Sequence, residues 1–217
     1  MRRYFATGAM AGGIGAGAAR GLSIGLLGGS FNPAHSGHLA LSLEALRTLK
    51  LDRIWWLVSP QNPLKPEDGM APFKDRIAAA SAVARHPRLI VTDIEARLGT
   101  RYTADTLDAL ARRCPTHRFV WLMGADNLVQ VSRWERWPRI FHTVPVAIFA
   151  RPSYSLRALA GAAARRYRRN RVPERRASAL AGMDPPAWVF CRMRLDPTSA
   201  SAIRARDEAW LQAGGKR

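Results

Sequence analysis

Gly28-Gly29-Ser30-Phe31-Asn32-Pro33-Ala34-His35-Ser36-Gly37-His38 lies between a short apolar run, Leu22 to Leu27, and a helical pattern, Leu39 to Leu49. A strand, a glycine-bearing turn and a helix start, in that order, form an anion cradle. Backbone N–H groups of the turn and the first helical turn point at the ligand, and the helix dipole favours negative charge there. Gly28 and Gly29 end the predicted strand, where the missing side chain lets the backbone approach a phosphate closely. Ser36 is the expected N-cap of the helix, which places His38 in its first turn and His35 on the loop just before. The spacing is neither the G-x-G-x-x-G of dinucleotide folds nor the P-loop pattern. A cationic imidazole aimed at a phosphoryl group stabilises charge that builds in a transition state, and a neutral one donates a hydrogen bond to the same oxygens. The alternative reading is a pair of surface histidines on a turn.

Working outward, apolar, β-branched or aromatic runs alternate with helical patterns. Strands are predicted at Ser23–Leu27, Ile54–Val58, Leu89–Thr92, Phe119–Met123, Val146–Phe149 and Trp188–Arg192. Helices are predicted at Gly37–Leu49, Pro72–Arg85, Ala104–Arg112, Ala125–Gln130, Trp137–Phe141, Ser155–Arg168 and Ser201–Leu211. The alternation predicts an α/β fold with a Rossmann-like parallel sheet, helices on both faces and a small C-terminal helical part. Three of the strand runs, Ile54–Val58, Phe119–Met123 and Val146–Phe149, lack clean polar alternation, as expected of strands covered on both faces. No internal repeat or linker divides residues 22–217, which read as a single domain. The Pro-rich loop from Ser59 to Pro72 reads as a lid or pocket wall, and residues 165–187 as an Arg-rich insertion or loop of poor order.

Composition narrows the function classes. The chain has 217 residues, enough for one sizeable core, and no run approaches the roughly 18 apolar residues of a membrane span. Cys114 and Cys191 have no motif spacing and suggest no disulfide framework, which fits a reducing cytoplasm. Net charge is +18, from 34 Lys and Arg against 16 Asp and Glu. Such an excess suits nucleic acid, an acidic membrane face or a polyanionic small molecule; a GC-rich genome, rich in Arg codons, produces it equally. Arg165, Arg166, Arg168, Arg169, Arg171, Arg175 and Arg176 hold much of it, with no zinc-finger, RNP or helix-turn-helix signature alongside. Residues 1–21, mostly Gly, Ala and Arg, read as a flexible leader: glycines interrupt the apolar core that a secretory signal requires.

The opening stretch resembles the G-G-[ST]-F-[DN]-P-x-H-x-G-H signature of the nucleotidyltransferase superfamily, and is most similar to its nicotinate-mononucleotide adenylyltransferase branch. Further stretches follow in that branch's order. Ser59-Pro60-Gln61-Asn62-Pro63-Leu64-Lys65 resembles the loop after the second strand, and Arg101 to Leu107 the Y-T-x-x-T-L stretch. Met123 to Leu128 resembles G-x-D-[NS]-L, Trp134 and Trp137 the W-x-x-[WY] pair, Arg151 to Tyr154 R-P-[GS]-Y, and Thr198 to Arg204 I-S-[SA]-T-x-I-R. Thr198 and Ser201 depart mildly from the pattern, and the aromatic-rich tail of family members has no match here. The resemblance spans about Leu22 to Arg206 and implies the nucleotidyltransferase fold.

It implies adenylyl transfer from ATP to nicotinate mononucleotide, with Mg²⁺ carried by the ATP phosphates and no protein metal ligands. Small molecules are the expected partners; the alternatives are a phosphopantetheine adenylyltransferase and, from another class, a basic nucleic-acid-binding module. Gly28, Gly29, Ser30, Phe31, His35, His38, Gly124, Asp126, Arg151, Ser199, Ser201 and Arg204 are implied to bind ATP, with His35, His38 and Arg204 acting in catalysis. Ser199, Ser201 and Arg204 at a helix start read as a second phosphate site or as a cap with a solvated arginine. Trp134 offers a stacking face for a pyridine ring or is packing. Tyr102 and Thr103, opening a helix, suit the nicotinate carboxylate. Asp126 suits ribose hydroxyls or is an N-cap. Lys65 and Arg151 are substrate contacts or solvated side chains.

Overall fold

The computed structural model describes residues 21–60, 70–150 and 154–193. Its elements are β1 (Ser23–Gly29), α1 (Ser36–Thr48), β2 (Arg53–Val58), α2 (Phe73–Val83), β3 (Leu89–Thr92), α3 (Ile94–Leu98), α4 (Thr103–Arg113), β4 (Arg118–Gly124), α5 (Ala125–Gln130), α6 (Trp137–Thr143), β5 (Val146–Phe149), α7 (Ser155–Leu159), α8 (Ala162–Arg166), β6 (Arg171–Val172) and β7 (Trp188–Cys191). Short 3-10 segments occupy Val131–Arg133, Arg168–Asn170 and Glu174–Gly182.

Among the described residues the strands form one parallel sheet in the order β3-β2-β1-β4-β5-β7-β6. Strands β1, β2, β4, β5 and β7 alternate their side chains between two cores. Ile24, Leu26, Leu57, Phe119, Trp121, Met123, Val146, Ile148, Trp188 and Phe190 face the core that also takes residues of α4, α5 and α6. Leu27, Ile54, Trp56, Val58, Val120, Leu122, Ala147, Phe149, Val189 and Cys191 face the core shared with α1. This two-sided burial is why the runs at Ile54–Val58, Phe119–Met123 and Val146–Phe149 show no clean polar alternation.

The strand order reverses between β1 and β4, since the chain moves outward through β2 and β3 on one side and through β4 and β5 on the other. Open α/β sheets bind ligands at the carboxyl ends of the strands that flank such a reversal. The Gly28–His38 stretch leaves the end of β1, and Gly124 closes β4.

The glycines at the end of β1 differ in what they do. A Cβ on Gly28 would come 2.4 Å from the Trp121 ring, so this glycine makes room for an indole on the neighbouring strand. A Cβ on Gly29 would meet only the Phe31 ring, at 3.4 Å. Here the missing side chain leaves the strand end open, as an anion cradle requires.

Three expectations change. Residues 165–187 are not an irregular insertion: they contain the end of α8, two 3-10 segments and β6, the outer strand of the sheet. Tyr167 anchors this stretch. It stacks on Phe141 at 4.5 Å, and its carbonyl accepts the Trp188 indole N–H at 2.7 Å. Two of its arginines cover aromatic faces, Arg166 over Trp137 at 5.7 Å and Arg171 over Trp188 at 5.4 Å. The predicted helix Ser155–Arg168 is broken between α7 and α8, where Gly161 is extended. Strand β7 ends at Cys191, one residue short of the expectation. The leader residues 1–20 and the predicted helix Ser201–Leu211 lie outside the described residues.

Candidate functional site

The turn after β1 is built on two histidines that cap a helix. His35, extended at φ −151°, is the N-cap of α1; the expected cap, Ser36, is instead its first residue. The His35 Nδ1 accepts the Gly37 N–H at 3.2 Å, and the His38 Nδ1 accepts the His35 N–H at 3.2 Å. This is the reciprocal arrangement of a capping box, with imidazoles in the places usually taken by a hydroxyl and a carboxylate. A ring nitrogen that accepts an N–H carries no proton. Each ring thus uses Nδ1 as an acceptor, which leaves Nε2 as the nitrogen that can bear a hydrogen.

The rings are also held from behind. Their centroids are 3.9 Å apart, and His35 is only 6% exposed. Phe31, at a left-handed φ of 45°, lies 4.8 Å from His38 and stacks on Trp56 at 5.0 Å. The Phe31 side chain is thus core packing beneath His38, and the backbone is what this residue has to offer a ligand. The Ser42 hydroxyl donates to the His38 carbonyl at 2.8 Å and accepts the Trp56 indole N–H at 2.8 Å, which pins the first turn of α1 to β2.

Two buried charged residues escaped the sequence reading. Arg76, on α2 and 3% exposed, donates to four carbonyls: Ser30 at 2.7 Å, Ser59 at 2.7 Å, Pro60 at 2.7 Å and Ala71 at 3.0 Å. It ties the histidine turn to the start and the end of the loop between β2 and α2. Burial lowers its pKa from the ordinary arginine value. The planar fork suits this task, because its donors spread in fixed directions. In sequence Arg76 is one cation in a basic chain; an apolar helix face around it is the signal that could have marked it.

Glu95, on α3, is 6% exposed. Burial pushes its carboxyl up to about 7, against opposing hydrogen bonds from the Ser59 and Thr106 side chains. The linkage follows from the sign. The folded state holds this proton more tightly than the unfolded chain, so the group's contribution to stability is full below about pH 4.5 and is lost as pH rises to about 7. Relative to Glu95→Gln, wild-type stability should fall by on the order of 3 kcal/mol between pH 4.5 and 7.5. Denaturant unfolding at several pH values checks this; a gap that stays constant across that range refutes it.

The remaining candidates fall on neighbouring elements. Gly124 is the N-cap of α5 and Asp126 lies in its first turn, half-buried, so the carboxylate is not the cap. Tyr102 is the extended N-cap of α4 and Thr103 its first residue; no side chain caps this helix start. Trp134 is half-buried and packs against the core below α4 and α6. Its segment is fastened to α4 by the Arg136–Asp105 ion pair and by Arg139 to Asp108 at 3.0 Å. Trp137 packs edge-on against Phe141 at 6.1 Å and Tyr167 at 5.9 Å. Lys65, Arg151, Ser199, Ser201 and Arg204 lie outside the described residues. Among the described residues no group of three or more His, Cys, Asp or Glu could hold a metal ion, and no helix is long and apolar enough to cross a membrane.

A parallel sheet with an anion cradle at its strand-order reversal defines the nucleotide-binding α/β class. Within that class the chain belongs to the cytidylyltransferase-like family, whose model matches residues 26–206. A relative from Cereibacter sphaeroides, named "Probable nicotinate-nucleotide adenylyltransferase", is 57% identical over 84% of this chain and 96% of its own length. A relative of the same name from Parvibaculum lavamentivorans is 54% identical over 86% of this chain and 92% of its own. Among solved structures, the Plasmodium falciparum nicotinic acid mononucleotide adenylyltransferase complexed with NaAD shares the fold, with a TM-score of 0.65 at 15% identity over 85% of this chain and 83% of that one.

Proposed function

We infer that the chain is a nicotinate-nucleotide adenylyltransferase, joining ATP and nicotinate mononucleotide into deamido-NAD and pyrophosphate. The paired His35 and His38 at the open end of β1 carry this reading. A phosphate monoester is already a nucleophile at neutral pH, so its in-line attack on the α-phosphorus needs no covalent intermediate. The protein's work is positioning and charge stabilisation. His35 and His38 donate Nε2–H bonds to phosphate oxygens as charge shifts onto them. Gly28, Gly29, Ser30 and Phe31 supply the backbone of the cradle. Gly124 and Asp126, at the end of β4, meet the nucleoside. Ser199, Ser201 and Arg204 hold the far phosphates, with Arg151 toward the nucleotide and Lys65 toward the acceptor. Mg²⁺ enters on the ATP phosphates as part of the substrate. A cytoplasmic location suits this chemistry and the free cysteines Cys114 and Cys191.

Tyr102 and Thr103 present the free N–H groups of a helix start to the nicotinate carboxylate, and Trp134 stacks on the pyridine ring. Stacking on an aromatic ring is worth ~1–3 kcal/mol, so Trp134→Ala should raise the KM for nicotinate mononucleotide about tenfold with a smaller change in kcat. An unchanged KM returns Trp134 to pure packing. The test of the whole reading is pyrophosphate release with nicotinate mononucleotide, nicotinamide mononucleotide and phosphopantetheine as acceptors. Turnover with phosphopantetheine alone overturns it.

A further inference from the structure

Glu95 takes no part in the chemistry above, yet it sits where the two halves of the site meet. Its carboxylate accepts hydrogen bonds from the hydroxyls of Ser59, at the end of β2, and Thr106, on α4, the latter at 3.4 Å. The Ser59 N–H donates to the Gly29 carbonyl at 2.9 Å, which joins the ends of β2 and β1. On the other side, the Thr106 hydroxyl lies 3.3 Å from the Tyr102 carbonyl and 2.8 Å from the Thr100 hydroxyl. The main chain of Glu95 closes the same loop, its carbonyl accepting the Thr100 N–H at 3.0 Å. Gly99, left-handed at φ 64°, reverses the chain between α3 and this loop.

A polar path therefore runs from the cradle strand to the first turns of α4: Gly29, Ser59, Glu95, Thr106. The start of α4 has no side-chain cap of its own, and these contacts join its first turns to the cradle side, while the ion pairs of Asp105 and Asp108 hold it to the Trp134 segment. We propose that Glu95 is a positioning residue for the acceptor, setting the helix start at Tyr102 and Thr103 at a fixed distance from the cradle that holds ATP. The proposal rests on the reading that this helix start receives nicotinate mononucleotide. A carboxylate suits the place because its two oxygens accept from hydroxyls on two different elements at once, which an apolar side chain cannot do. A shift of the helix start would misplace the acceptor relative to the α-phosphorus while leaving the cradle in place, and small misplacements weigh heavily on such reactions.

The test is steady-state pyrophosphate release with both substrates varied in turn. Glu95→Ala should raise the KM for nicotinate mononucleotide about tenfold, the equivalent of one lost hydrogen bond of ordinary strength, with the KM for ATP unchanged within about twofold. Glu95→Gln, which still accepts from a hydroxyl, should stay near wild type in both. A residue that merely supports the fold would reduce the amount of active enzyme and Tm without moving one KM alone. If Glu95→Ala does not fold, Thr106→Val cuts the same path from the α4 side and should show the same split, with Thr106→Ser restoring it. Equal changes in both KM values, no change in either, or a Gln variant as impaired as the Ala variant overturns the proposal. A wild-type enzyme that releases no pyrophosphate with nicotinate mononucleotide, but does with another acceptor, overturns the functional reading itself, and that result is distinct from all of these.

Discussion

His38→Ala should lower kcat by at least ~10²-fold, the loss typical of removing one preorganised donor to a transition-state oxyanion. Two effects must be separated, because His38 also accepts the His35 N–H at 3.2 Å and so caps α1. Losing a cap costs about 1 kcal/mol of stability, which is far too little to account for such a rate loss in a folded enzyme. His38→Gln makes the separation. Glutamine at this position of a capping box returns an acceptor to the His35 N–H but places its own donors elsewhere. The Gln variant should therefore recover the Tm of wild type and remain slow. Wild-type turnover in either variant ends the catalytic assignment, and a Gln variant that recovers both rate and Tm reduces His38 to a cap.

The largest effect on stability should come from Arg76→Ala. Four carbonyls, of Ser30, Ser59, Pro60 and Ala71, lose their charged donor at once. Hydrogen bonds to charged groups contribute about 1.5–3 kcal/mol each, and the losses within one cluster are not additive. A fall of about 3–5 kcal/mol in unfolding free energy is expected, as for breaking a buried charged network. Arg76→Lys should recover only part of it, since an ammonium lacks the fork that reaches divergent carbonyls. Chemical denaturation read by tryptophan fluorescence follows both variants, with Trp56 and Trp121 buried in the two cores as reporters. An Arg76→Ala protein as stable as wild type would show that water or neighbouring groups satisfy these carbonyls.

The sheet was legible because its strands are apolar on both faces. The runs at Ile54–Val58 and Val146–Phe149 show no polar alternation, as strands covered on both faces do, and the structure places β2 and β5 there. Strand β6 was not legible, because two residues, Arg171 and Val172, form no pattern and their pairing with β7 comes from packing alone. The five-residue helix α3 is too short for a periodic signal. The anion cradle could be read from Gly28, Gly29 and the histidine spacing. The cap could not: serine is the commoner helix cap and Ser36 was at hand, but His35 lies at the point where the chain is still extended. Arg76 and Glu95 look like surface charges in a chain this rich in arginine. Their partners, the Ser30 and Ser59 carbonyls for Arg76 and the Ser59 hydroxyl for Glu95, are distant in sequence.

The outer strand has a consequence of a different kind. A parallel sheet ends in unpaired backbone groups, and an exposed edge is a template on which a second chain can add a strand and begin an aggregate. Among the described residues one edge is β3, four residues long, and the other is β6, only two. Arg168, Arg169, Arg171, Arg175 and Arg176 surround the shorter one, all exposed to solvent. An incoming strand would find little backbone to pair with and a concentration of like charge beside it. Among the described residues, the arginine run that suggests a polyanion partner in sequence lies beside the shorter edge of the sheet, where its like charges oppose an incoming strand.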